Sequence, residues 1–173
     1  MATLLGGLAP DFPAPIILVQ HLDAQFVPGF ASWLCQHCRL PVRPAREGDR
    51  PKRGTVLIAA SDDHLVFNAS GELGYRAEPR DYPYRPSVDV FFESVAERWQ
   101  GDPVGVLLTG MGRDGARGLK LLRDRPCLTI AQDKATSAVY GMPKAAAAIG
   151  AAAEILPLAA IAPRLTEACA PSS

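Results

Sequence analysis

The chain has 173 residues, 48% of them hydrophobic and 21% charged, the composition of one ordinary globular domain that can bury a core without disulfides or a structural metal. Its 18 basic side chains balance 18 acidic ones, so no net field draws in a phosphate backbone or an anionic lipid surface, and nucleic-acid and membrane-surface roles lose their usual support. No apolar run nears the roughly 18 residues of a membrane span, and no basic stretch precedes the apolar start, which together point to a cytoplasmic protein without membrane insertion.

Ile16-Ile17-Leu18-Val19, after Pro13 and Pro15, is a short continuous apolar run of the kind buried on both faces of a parallel sheet, and it reads as a strand. Phe26, Phe30, Trp33, Leu34 and His37 then fall at helical spacing. Cys35-Gln36-His37-Cys38 is the one local cluster among four cysteines. With no second C-x-x-C or H-x-x-x-H partner, it reads as small helix residues rather than a zinc site. Val56-Leu57-Ile58-Ala59 is a second strand. Leu65-Val66-Phe67, Asn68-Ala69-Ser70-Gly71 and Leu73-Gly74-Tyr75 read as a β-hairpin near one edge of the sheet, and the Pro- and Arg-rich piece from Pro79 to Pro86 as an ordered surface loop. Val88, Phe91, Phe92, Val95 and Trp99 mark a helix whose start is signalled by Ser87 as cap and Asp89 in the first turn. Strands follow at Val104-Gly105-Val106-Leu107-Leu108 and Cys127-Leu128-Thr129-Ile130-Ala131, with helices over 116–123, 143–149 and 158–168. This alternation predicts a single α/β domain over residues 1–173, doubly wound, with a mostly parallel sheet, helices on both faces and right-handed crossovers.

Ligands of such sheets bind beyond the carboxyl ends of the strands, so the residues after each apolar run are the candidates for chemistry. They are Gln20-His21, Thr109-Gly110-Met111-Gly112-Arg113-Asp114-Gly115 and Gln132-Asp133, which would bring an imidazole and several carboxylates to one edge. Each also has a structural reading: His21 as a hydrogen-bonding residue at a strand end, Asp114 as a carboxylate capping a helix N-terminus. Gly110, Gly112 and Gly115 would let backbone N–H groups reach an oxyanion or a phosphate. The same turn matches G-x-G-x-x-G, with Asp133 some twenty residues on, so a dinucleotide site is a rival; its late position in the chain argues against it. His64 opens the hairpin and either lines a cleft or ties down a turn, His37 is a packed or half-exposed helix residue, and Tyr140-Gly141-Met142-Pro143-Lys144 enters a helix that could lower Lys144 onto the same edge.

Val19-Gln20-His21, Leu108-Thr109-Gly110-Met111-Gly112-Arg113-Asp114-Gly115-Ala116 and Ala131-Gln132-Asp133 followed by Tyr140-Gly141-Met142-Pro143-Lys144 resemble the catalytic domain of the CheB-type chemotaxis protein-glutamate methylesterases. Pro86-Ser87-Val88-Asp89, Glu47-Gly48, Gly54 and His64-Leu65 match in the same order, and the similarity runs from about residue 8 to 165. The resemblance implies hydrolysis of glutamate methyl esters on the cytoplasmic domain of methylated chemoreceptors, with methanol released and receptor glutamines deamidated by many members, without cofactor or metal. It implies His21 as general base, Asp114 as the carboxylate that orients it, and the Met111 N–H as an oxyanion donor. Gln20, Thr109, Gly110, Gly112, His64, Gln132, Tyr140 and Met142 are the accompanying substrate-cleft candidates.

The family's nucleophile is a serine in a Ser-Thr-Gly-Gly turn after a first strand, ahead of the histidine-bearing strand, and nothing here corresponds to it. Gly6-Gly7 follow Thr3-Leu4-Leu5, Gly7-Leu8 matches the end of the family's first helix, and no serine precedes Ser32. Nothing places Ser61, Ser87 or Ser137 beside His21. The expectation is therefore a catalytic domain incomplete at its N-terminus, without a receiver domain, with no nucleophile of its own and little methylesterase activity. A non-catalytic receptor- or partner-binding module of the same fold is the alternative. Leu22 and Ala60-Ser61 are smaller departures that would shift cleft shape or substrate choice without touching the triad. An unpaired strand edge predicts self-association or reduced stability.

Overall fold

The computed structural model describes residues 1–170, in which the predicted strands and helices appear in the predicted order with two additions. Helix α1 (Ala2–Gly6) leads to β1 (Ile16–Leu18), a 3-10 turn at Ala24–Phe26 and α2 (Val27–Cys35). Strands β2 (Val42–Pro44) and β3 (Val56–Ile58) precede the hairpin β4 (His64–Phe67) and β5 (Leu73–Arg76). Then come α3 (Val88–Arg98), β6 (Gly105–Leu107), α4 (Ala116–Asp124), β7 (Thr129–Gln132), α5 (Met142–Ala148), β8 (Glu154–Leu156) and α6 (Leu158–Ala168).

Strands β2 and β8 escaped the sequence reading because a continuous apolar run marks only strands covered on both faces. Each lies at an outer position of its sheet: β2 contains Arg43 and Pro44, and Ile155 at the centre of β8 is half exposed. The single predicted sheet is divided. One half has the order β1-β3-β2, the other β6-β7-β8, and both are parallel throughout. The hairpin forms its own two-stranded sheet, with Leu65 and Phe67 packed against Phe91 and Val95 of α3.

Helices cover both faces, as alternation along the central strands shows. Val56 and Ile58 of β3 join a core with Leu5 of α1, Leu34 of α2 and Ile161 of α6, whereas Leu57 between them joins the hairpin core. In β7 Ile130 belongs to the first core, and its neighbour Ala131 packs with Leu119 of α4 and Ala146 of α5. At the start of α3 the Ser87 hydroxyl accepts from the Val90 N–H, the predicted cap. Helix α4 starts from Gly115 at φ +85°, where a Cβ would sit 2.6 Å from Leu107 and 2.8 Å from Val88. No helix among the described residues is long and apolar enough to cross a membrane.

Candidate active site

The turns after β1 and β6 bring two residues 93 positions apart into contact: His21 Nε2 lies 2.7 Å from Asp114 Oδ2. The histidine side chain is 28% exposed and the carboxylate 0%. Asp114 was expected to cap, if anything, the helix that follows it. Instead it reaches across to α3, where Oδ2 also accepts from the Val88 N–H at 2.7 Å, and Oδ1 accepts from the Asp89 N–H at 3.0 Å and the Ser87 hydroxyl at 2.8 Å. Burial alone would raise the Asp114 pKa, but these donors, His21 first among them, outweigh it and hold the group below its ordinary value. An ionised Asp114 fixes the proton of His21 on Nε2 and leaves Nδ1, which has no hydrogen-bond partner among the described residues, with its lone pair.

Asp89 returns the exchange. Its Oδ1 accepts from the Gly118 N–H of α4 at 2.7 Å and its Oδ2 from the Tyr82 hydroxyl at 3.0 Å. Burial here prevails over both bonds, raising the Asp89 pKa; burial and the neighbouring Asp89 charge push Tyr82 up to about 12. Each helix is thus capped by a carboxylate belonging to the other, which locks α3 to α4 and aims Asp114 at His21.

The segment read as a surface loop is the roof of the site. Tyr84 stacks on His21, with ring centroids 4.9 Å apart and an interplanar angle of 17°. Arg85 ties the loop down through Asp63 Oδ1 at 2.8 Å and the carbonyls of Asp62 and Ala77 at 3.0 Å. Sequence reasoning missed Tyr84, the Ser87–Asp114 bond and the role of Asp89. The available signal was the pair Tyr82 and Tyr84 directly before a cap, two aromatics that a solvated loop has no reason to carry.

The glycines of the second turn answer to the protein itself. A Cβ on Gly110 would lie 2.3 Å from Met142 Sδ, and one on Gly112 (φ +86°) 2.2 Å from the Tyr84 hydroxyl. The N-terminus of α4 is already occupied by Asp89, and Asp133 accepts from the N–H and hydroxyl of Thr136, closing a local turn. That accounts for the G-x-G-x-x-G pattern without a dinucleotide. Cys35 and Cys38 direct their thiols to the carbonyls of Val42 and Leu40, and no cluster of three metal-ligating side chains occurs among the described residues.

Of the predicted cleft residues, Gln20, Thr109, Gly110 and Met142 line one cleft together with His21 and Met111. Two others are corrected. His64 is wholly buried, accepting from the Ser87 N–H on Nδ1 and donating from Nε2 to the Pro79 carbonyl, so it braces the cap and touches no cleft. Gln132 is also buried and clamps the end of β6 to that of β7, accepting from the Thr109 N–H and donating to Thr136. Gly112 lies under Tyr84, and Tyr140 forms a parallel bridge to Gly110 outside the cleft lining. His37 is exposed on α2, stacked on Trp33. The Met111 side chain is 78% exposed, and its N–H has no partner among the described residues.

A family model described as CheB methylesterase matches residues 1–165. A protein-glutamate methylesterase/protein-glutamine glutaminase of Mesorhizobium japonicum is 66% identical over 169 residues, and one of Cupriavidus pinatubonensis 63% identical over 169, each match covering 98% of this chain and 50% of the relative. The chain therefore spans about half the length of the curated relatives it matches. Among solved structures, the CheB methylesterase catalytic domain of Thermotoga maritima superposes with a TM-score of 0.90 at 34% identity, covering 96% of this chain and 90% of that one.

Proposed function

The chain belongs to the CheB methylesterase family, and from that membership we propose that its His21–Asp114 pair serves the hydrolysis of glutamate methyl esters, and the deamidation of glutamines, on cytoplasmic chemoreceptor domains. The observation that carries the reading is the 2.7 Å contact between an imidazole at the open cleft and a buried carboxylate held ionised by four donors. His21 Nδ1 takes the proton of an attacking hydroxyl, Asp114 stabilises the resulting imidazolium, and the Met111 N–H receives the charge that develops on the carbonyl oxygen. Ester and primary amide share this tetrahedral oxyanion, which is why one site serves both reactions.

The nucleophile is the remaining part, and the serines considered from sequence are engaged elsewhere. The Ser87 hydroxyl donates to Asp114 on the side away from His21, Ser61 Oγ accepts from the Asp63 N–H, and Ser137 donates to the Asp133 carbonyl. We assign His21, Asp114 and the Met111 N–H to the base and oxyanion parts of the centre. Methanol release from methylated receptor tests this with two proteins, the chain itself and a version with a Ser-Thr-Gly-Gly-bearing strand joined ahead of Met1. Turnover by the second is expected to fall by about 10³ or more in its His21→Ala form. Receptor binding without methanol from the extended protein would replace the esterase with a non-catalytic module, and equal turnover by both proteins would mean another side chain has become the nucleophile.

A further inference from the structure

Tyr84 stands between the base and the oxyanion turn and touches both. One face of its ring lies on the His21 imidazole, centroids 4.9 Å apart and 17° from parallel. Its hydroxyl end lies against Gly112, where a Cβ would come 2.2 Å from the oxygen and 3.1 Å from Cζ. Gly112 directly follows Met111 in the turn after β6, whereas His21 belongs to the turn after β1, so one ring spans turns from two different half-sheets.

A hydrogen bond fixes one atom of a ring. The 2.7 Å contact with Asp114 holds Nε2 of His21 and leaves the plane of the imidazole free to tilt about that point. A stacked ring removes this freedom, because tilting drives ring atoms together on one side and opens a gap on the other. Tyr84 can act so because its own segment is stiff. Pro79, Pro83 and Pro86 each fix a backbone φ. His64 donates to the Pro79 carbonyl at 3.2 Å, the Tyr82 hydroxyl to Asp89 at 3.0 Å, and the Arg85 guanidinium to Asp63 at 2.8 Å. Asp89 in turn donates its N–H to Asp114, so the roof and the carboxylate behind His21 share one anchor.

We propose that Tyr84 is a positioning residue: its ring sets the plane of the His21 imidazole, and its hydroxyl end sets how closely the oxyanion turn approaches that base. Reacting groups displaced by about 1 Å lose on the order of a hundredfold in rate, so a spacer in contact with both turns acts on the chemical step rather than on substrate affinity. That consequence rests on the catalytic reading, whereas the geometry itself is read without turnover.

The test uses the whole chain isotope-labelled at its histidine ring nitrogens, with His21→Ala assigning His21 among the three histidines. At alkaline pH, where imidazole is neutral, the two nitrogens of a fixed tautomer have widely separated NMR shifts, and exchange between tautomers draws them together. Tyr84→Leu fills the space without defining a plane and is expected to draw them together. Tyr84→Phe keeps the ring and should leave them apart. Gly112→Ala should act like Tyr84→Leu in the parent chain and clearly less beside Tyr84→Phe, which lacks the oxygen that the new Cβ meets; the strain of alanine at φ +86° is common to both. Unchanged nitrogens in a cooperatively melting Tyr84→Leu would overturn the proposal, and an equal Gly112→Ala effect in both backgrounds would overturn the spacer. Should Tyr84→Leu fail to fold, the Gly112→Ala pair decides by itself. In the protein carrying the Ser-Thr-Gly-Gly strand, Tyr84→Leu is expected to lower kcat about tenfold to a hundredfold with KM within about threefold, and Tyr84→Phe to recover most of the loss. A raised KM at unchanged kcat would overturn positioning in favour of a substrate contact. An inactive extended parent whose nitrogens respond as expected overturns the catalytic reading and leaves the hold of Tyr84 on His21 standing.

Discussion

Asp114 and Asp89 sit at the mouths of neighbouring helices, yet their protonation works in opposite directions. The folded state lowers the pKa of Asp114, so the stabilisation it brings is complete above the unfolded carboxylate value near 4 and is lost as pH falls through the lower folded value. The folded state raises the pKa of Asp89, so its ionised form costs stability above that raised value, and the cost vanishes once pH drops below the unfolded one. Asp114→Asn sets an amide NH2 against a ring of donors and is expected to lower stability at pH 7 by about 1.5–3 kcal/mol, a deficit that shrinks toward pH 3. Asp89→Asn keeps an acceptor for Gly118 and lets Tyr82 accept in turn, and should be neutral or stabilising at pH 7. Urea titrations of both variants at the two pH values check the contrast. Sequence alone pointed to His21 and Asp114 because both follow apolar strands. It misplaced His64 and Gln132, since a polar residue at a strand end looks the same whether it faces a cleft or braces a neighbouring turn.

At the scale of elements, the exchange of caps requires α3 and α4 to approach closely, and Gly118 is where they do so. A Cβ there would lie 2.6 Å from the Cβ of Phe92 and 2.8 Å from the Asp89 carbonyl oxygen, a backbone atom that cannot step aside. In an isolated helix, Gly→Ala is favourable by about 1 kcal/mol. Here Gly118→Ala is expected instead to destabilise by roughly 1–3 kcal/mol through overpacking. It should also weaken the bond from the Gly118 N–H to Asp89; a lower urea midpoint with an unchanged m-value is the measurement. Helix α3 was legible because a cap, an acidic first turn and a 3.6-residue apolar period all agree over 11 residues. The outer strands β2 and β8 were not, because exposure on one side removes the apolar run that identifies a parallel strand.

Across the whole molecule, the two half-sheets have their best-protected strands in β3 and β7, each paired on both sides, while β1 and β6 are each paired on one side only among the described residues. Amide exchange should follow that order, slowest at Val56–Ile58 and Thr129–Gln132 and faster at Ile17 and Val106. Equal protection at Ile17 and Leu57 would show that the second edge of β1 is already covered. The sequence by itself determined the α/β class, the order of the principal strands and helices, and the family, and it singled out the two residues that meet as His21 and Asp114, because these are written in short-range apolar periods and in motifs at strand ends. Only the tertiary structure decided that Asp114 caps α3 rather than its own helix, that Tyr84 covers His21, and that the sheet stands in two halves across an apolar cleft. These depend on which elements become neighbours, and contacts between residues tens of positions apart leave no periodic trace in the chain.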